Sequence, residues 1–188
     1  MKSVVMTGPG RVEIREVHIP RRKPGETLLR LLFGGICGSD LGSYRGTNFY
    51  VSYPRTIGHE FSAEVVETDS AELRPGQLVT CNPYFNCRSC YSCRRGFVNC
   101  CVNNQTMGVQ REGAFAEYIT VPTERVYSGE GIDPRELALI EPFCISHHGV
   151  SRAAVQPGEK VLVMGAGAIG LLAAETARLQ GAKVYIAD

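Results

Sequence analysis

The sequence predicts a chain of mixed class, β-rich over most of its length and α/β at its end. Up to about residue 130, short β-like runs alternate with clusters of Gly, Pro and Asn. From Lys160 onward an apolar run, a glycine-rich turn, a helical pattern and a second apolar run follow one another. Composition agrees: the 188 residues are 44% hydrophobic and 21% charged, which suits a globular core and excludes collagen-like or disordered chains. With 20 Lys and Arg against 19 Asp and Glu, no net field draws the chain to nucleic acid or an anionic membrane, so neither partner is expected. The opening MKSVVMTGPGRVEIREV has no long apolar run, and no stretch has the length of a membrane helix; a cytoplasmic location is expected.

The first domain, over 1–132, takes its strands from SVVM, VEIREV, TLLRLLF, AEVVE, QLVT and AEYITV. Arg21-Arg22-Lys23 beside Pro24-Gly25 reads as a solvated turn. A connecting helical segment over 133–158 begins with Asp133 as N-cap and Pro134 at the first helical position, and Pro142 should kink or interrupt it. Pro157-Gly158 closes that segment. Residues 159–188 then supply strand KVLVM, a turn, helix AIGLLAAETARLQ ended by Gly181, and strand KVYIAD.

The eight cysteines point to metal binding, because five of them crowd into residues 87–101. Cys87, Cys90 and Cys93 followed by Cys101 give C-x2-C-x2-C-x7-C, a spacing at which four thiolates can surround one tetrahedral zinc and leave no position open. Such a site is structural. Spacing alone does not choose between Cys100 and Cys101 for the fourth place. Cys81 and Cys144 read as small buried hydrophobes. A second constellation joins Cys37, in Gly-Ile-Cys-Gly-Ser-Asp, to Gly58-His59-Glu60. A thiolate, an imidazole and a carboxylate suffice for a zinc that keeps one position for water or substrate.

KVLVM before Gly165 and a helix after Gly170 are the context that the G-x-G-x-x-G pattern requires. Gly165 makes the tight turn, Gly167 lets the backbone approach a pyrophosphate, and Gly170 permits close helix packing; Ala168 and Ile169 join them as cofactor-binding positions at the helix N-terminus. Asp188, at the end of the second strand, stands where an acid would bind the ribose hydroxyls. These elements open a Rossmann NAD-binding domain whose nicotinamide half is not encoded, so the 188-residue chain alone is expected to catalyse little hydride transfer.

G-I-C-G-S-D, G-H-E, the four-cysteine loop, G-A-F-A-E-Y, I-E-P and V-M-G-A-G-A-I-G-L occur in this order and resemble the zinc-dependent medium-chain alcohol and polyol dehydrogenases along essentially the whole chain. The resemblance implies a GroES-like catalytic domain followed by the Rossmann domain, two zincs per chain, NAD as cofactor, a polyol or sugar-acid substrate, and a homo-oligomeric full-length form. It makes Cys37 and His59 catalytic zinc ligands and Glu60 a ligand or alternate ligand. Ile140-Glu141-Pro142 looks like the sorbitol and threonine dehydrogenase branch, which implies Glu141 as a ligand directly or through water. It also implies that Ser39 receives the substrate hydroxyl proton and that Asp40 holds the far nitrogen of His59. The histidine usual near Gly42 is absent, leaving Tyr44, water or the cofactor ribose to continue the relay. His147 and His148 are assigned to packing or the substrate pocket. Rival readings are an L-threonine or simple alcohol dehydrogenase, a zinc-free quinone reductase, and a non-enzymatic zinc-binding module.

Overall fold

The computed structural model describes residues 1–188. In chain order the elements are β1 (Lys2–Gly8), β2 (Arg11–Glu16), β3 (Glu26–Gly35), α1 (Gly38–Arg45), β4 (Arg55–Thr56), β5 (Glu60–Glu67), β6 (Leu78–Cys81), β7 (Tyr84–Phe85), α2 (Tyr91–Arg94), β8 (Gln105–Thr106), β9 (Tyr118–Pro122), β10 (Val126–Ser128), α3 (Pro134–Leu137), α4 (Ile140–Arg152), β11 (Lys160–Met164), α5 (Ala168–Leu179) and β12 (Lys183–Ala187). They divide into two compact units, Met1–Ala138 and Leu139–Asp188. The helical segment is thus shared: α3 falls in the first unit and α4 in the second.

In the first unit a five-stranded sheet runs β10-β6-β5-β3-β9 and a three-stranded sheet runs β2-β1-β4. The strands form where apolar residues alternate. On β5, Phe61, Ala63 and Val65 enter a core shared with Leu29 of β3, Val79 of β6 and Val121 of β9. Ala63 is fully buried, with Leu31 and Val79 as its partners on the two neighbouring strands. β3 and β5 are antiparallel with register shifts near Leu28–Leu29 and Leu31–Phe33, and the pairing ends at Gly34↔Phe61 and Gly35↔Glu60. That end of the sheet delivers the chain to Cys37 on one strand and receives it from His59 on the other.

The segment before β5 is held from outside the sheet. Gly113 N–H donates to Thr56 O at 2.7 Å, Phe115 N–H to Ile57 O at 2.9 Å and Ala114 N–H to Gly58 O at 2.9 Å. The backbones approach so closely that a side chain on Gly113 would overlap the Ile57 carbonyl.

In the second unit β11 and β12 pair in parallel with α5 as their crossover, and α5 also packs on α4. Val150, Ala177 and Ala182 form its small core. Asp133 caps α3 as expected, its carboxylate accepting Arg135 N–H at 2.8 Å. Pro142 does not kink a helix. The interruption lies upstream, between Leu137 and Ile140, and Pro142 occupies the first turn of α4, where a missing N–H costs nothing. The carbonyl that its N–H would have reached is that of Ala138, which is where the earlier helix stops.

Gly113→Ala should destabilise the chain by about 1–3 kcal/mol because backbone, and not a flexible side chain, must move. Gly8→Ala, where an added methyl meets open space, should cost within about 0.5 kcal/mol. Denaturant midpoints of the two variants check the contrast.

Candidate functional site

Two groups of metal-ligating side chains converge, and both lie in the first unit. The Sγ atoms of Cys87, Cys90, Cys93 and Cys101 lie within 4.8 Å of one another. They come from the stretch between β7 and β8, with Cys90 at the N-cap of α2 and Cys93 inside it. Arg88 takes a left-handed backbone, φ 59°, which turns the chain so that Cys90 N–H donates to Cys87 Sγ at 3.3 Å. Cys87 N–H in turn donates to Cys101 Sγ at 3.2 Å. Cys101 is therefore the fourth member, and Cys100 sits exposed on the adjoining 3-10 turn.

The thiols of this group cannot all carry charge by themselves. Donors from Ser89 and the Cys90 backbone draw the Cys87 thiol down to about 5. Desolvation instead pushes Cys93 up to about 11. A divalent cation at the centre removes this conflict, since it deprotonates a coordinating thiol outright. Four soft donors within 4.8 Å of one another, with N–H groups already aimed at sulfur, fit zinc.

The second group is Cys37, His59 and Glu60, whose ligand atoms also lie within 4.8 Å of one another. Cys37 is half-buried; His59 and Glu60 are only 5% and 7% exposed. Cys37 is the N-cap of α1, with an extended backbone, and its N–H donates to Asp40 Oδ2 at 2.9 Å. That bond ties the Cys37 backbone to the first turn of α1 and satisfies a carboxylate that is itself buried. Glu60 has room because Gly35 faces it across the sheet: a Cβ at Gly35 would lie 2.5 Å from Glu60 Oε2. A thiolate and a carboxylate this close repel one another unless a cation lies between them, and with the imidazole they form a donor set that suits zinc with a position to spare.

Ser39 is half-buried in the first turn of α1, its carbonyl accepting Ser43 Oγ at 3.0 Å. Tyr44, on the last turn, is exposed. Glu141 is buried in the first turn of α4. His147 and His148 are exposed on α4, His147 against the Phe143 ring at 5.8 Å between centroids. Cys81 is buried and its thiol is pushed up to about 12 by that burial. Cys144 is not buried as expected: it lies on the solvent side of α4, whose inward positions are Pro142, Ser146 and Val150.

In the second unit Gly165 has φ +99°, a left-handed turn that glycine takes without strain, and its N–H donates to Ala187 O at 2.7 Å. Gly167 is the N-cap of α5, with Ala168, Ile169 and Gly170 forming the first turn. An added Cβ at Gly165 or Gly167 meets nothing, so the backbone is open to a ligand there, whereas one at Gly170 would strike the Gly165 carbonyl. Asp188 follows β12 directly. Backbone N–H groups at a helix N-terminus behind an uncrowded turn fit a pyrophosphate. Gly34 and Gly35 belong to the site as well, and their signal in the sequence is a double glycine at the end of an apolar strand, which marks a close approach from the neighbouring strand.

Residues 23–130 match the alcohol dehydrogenase GroES-like domain. The chain is 42% identical over 190 residues to L-galactonate-5-dehydrogenase of Escherichia coli K12, an alignment that takes in all of this chain and 56% of that protein. Among solved structures, an alcohol dehydrogenase from E. coli CFT073 complexed with NADH superposes with a TM-score of 0.92 at 34% identity, covering 100% of this chain and 56% of the other. A zinc-binding dehydrogenase from Sinorhizobium meliloti 1021 bound to NADP gives 0.93 at 36%, covering 98% and 55%. The chain thus spans about half the length of the relatives it matches. With residues 23–130 matched, more than half of its length, the chain belongs to the alcohol dehydrogenase GroES-like domain family.

Proposed function

We propose that this chain carries the catalytic domain of a zinc-dependent oxidoreductase that transfers a hydride from a secondary alcohol, of polyol or sugar-acid type, to NAD. The observation that carries this reading is the convergence of half-buried Cys37 with buried His59 and Glu60 in a group separate from the four-thiolate loop. A single zinc loop would suit a non-enzymatic module; a second donor set with an open position suits catalysis. The substrate class draws on the L-galactonate relative, whose name describes oxidation of a polyhydroxy acid.

In this reading Cys37 and His59 hold the catalytic zinc, with Glu60 as ligand or alternate ligand and Glu141 a ligand directly or through water. Zinc, when bound, supplies Lewis acidity and orients the alcohol. Asp40 acts as a positioning residue: it holds the Cys37 backbone, and in this reading it also meets the far nitrogen of His59. Ser39 accepts the substrate hydroxyl proton while its own proton passes outward to Tyr44, water or the cofactor ribose. Gly165, Gly167, Ala168, Ile169 and Gly170 receive the cofactor pyrophosphate, and Asp188 accepts hydrogen bonds from the ribose hydroxyls. Cys87, Cys90, Cys93 and Cys101 hold the structural zinc. Thiolate ligands call for a reducing compartment, which favours the cytoplasm, and a homo-oligomer is the assembly proposed. No helix is long and apolar enough to cross a membrane.

Elemental analysis of the purified chain should find two zincs. Cys93→Ser should remove one and cost about 2–5 kcal/mol of stability, as removal of a native cross-link does; a full zinc complement with normal stability would contradict the structural assignment. Cys37→Ser or His59→Ala should also leave one zinc per chain, now with the four-thiolate loop filled, and should abolish alcohol-dependent NAD reduction in a protein with a complete nucleotide domain.

The relatives have been solved with either cofactor, so the preference for NAD rests on Asp188. A 2′-phosphate would set like charges together there. Asp188→Ser should narrow the NAD-over-NADP preference by about tenfold, equivalent to relieving roughly 1.4 kcal/mol of repulsion. Comparison of kcat/KM with the two cofactors checks this, and equal use of NADP by the unsubstituted enzyme would contradict it.

A further inference from the structure

The metal-ligand reading leaves unexplained what holds the end of β3 and the residue before His59 at a fixed separation. One ring touches both. A Cβ on Gly34 would lie 2.6 Å from Phe115 Cε1 and 3.1 Å from Cδ1, and a Cβ on Gly58 would lie 2.6 Å from the same Cε1 and 2.8 Å from Cγ. Each glycine is therefore a place where backbone rests directly on the ring. Gly34 leads through Gly35 and Ile36 to Cys37, and Gly58 precedes His59.

Phe115 itself is fixed at its backbone. Its N–H donates to Ile57 O at 2.9 Å, and its carbonyl accepts Val4 N–H at 2.8 Å. The neighbouring Ala114 N–H donates to Gly58 O at 2.9 Å. Behind the same residue, a Cβ on Gly108 would lie 2.8 Å from Gly58 N, so Gly58 is confined from that direction as well.

We propose that Phe115 is a positioning residue of the Cys37–His59–Glu60 centre: its ring is the spacer that sets the distance between the strand leading to Cys37 and the turn carrying His59. The inference rests on the metal reading above. An aromatic ring suits the task because it is rigid and has only two side-chain torsions, while metal–ligand distances tolerate about 0.2 Å of error. A branched aliphatic side chain leaves part of the space unfilled, and the two backbones settle inward or move independently.

The test follows zinc release from the chain to a colorimetric chelator. Release should show two phases, and the one that disappears in Cys37→Ser belongs to this centre. Phe115→Leu should speed that phase about 10–100-fold, the range typical when a support of a ligand is lost, and leave the four-thiolate phase unchanged. Gly34→Ala should speed it too, because the new methyl strikes the ring. The double variant Phe115→Leu/Gly34→Ala should release more slowly than either single one, since the methyl then fills space the ring has vacated. If Phe115→Leu does not fold, Gly34→Ala is judged by the same phase.

A Phe115→Leu variant that melts at lower temperature while this phase keeps its wild-type rate would overturn the inference and leave the metal reading standing. Additive effects in the double variant would also overturn it. A wild-type chain with no phase sensitive to Cys37→Ser would overturn the metal reading and this inference together.

Discussion

The antiparallel register of β3 and β5 is the constraint on which the Cys37–His59–Glu60 cluster depends. Because Gly35 faces Glu60 at the last pair of the ladder, the residues just beyond it on each strand, Cys37 and His59, emerge at the same end of the sheet. A slip by one residue would turn every side chain of β5 over, placing Glu60 in the core and Phe61 outside it. The core and the centre therefore specify each other: burial of Phe61, Ala63 and Val65 fixes the register, and the register brings thiolate, imidazole and carboxylate together. Two register shifts along β3 adjust the pairing on the way to this end.

The two ligand groups solve the same electrostatic problem differently. In the four-thiolate loop, sulfur receives backbone and side-chain N–H groups in a surface excursion with little core of its own. At Cys37 the protein instead spends a buried carboxylate, Asp40, on the cysteine's own N–H, and leaves the ligand atoms themselves to a cation. The first arrangement closes a coordination sphere. The second gathers three donors of different chemistry, two of them buried, and so offers one fewer ligand than a closed tetrahedral sphere requires.

Much of this was legible because it is local. The cysteine spacing, the Asp133–Pro134 helix start and the glycine turn each specify their structure within a few residues, and the six strand-like runs all fall on strands. The pairs β4, β7, β8 and β10 were not legible: two or three residues carry no periodicity, and they are strands only because a partner lies alongside. Pro142 showed that a break was near but not on which side, since either the proline or its would-be acceptor can end a helix. The choice of Cys101 over Cys100 depended on the 3-10 turn that points one thiol inward. Cys144 was misjudged because helical phase, and not residue type, decides which face of α4 is covered.

The short ribbon of β7 and β8 pairs Tyr84 with Thr106 and Phe85 with Gln105, so the thiolate loop leaves and rejoins the domain at one point. Beneath that point Phe85 lies under the guanidinium of Arg111 at 4.1 Å, and Arg125 donates to Asn86 at 2.6 Å. The loop is thus a cassette on a clasped neck. Since its two ends stay together whatever lies between them, its length and metal can change over evolutionary time, or be exchanged by design, without disturbing the strand register that serves the other centre.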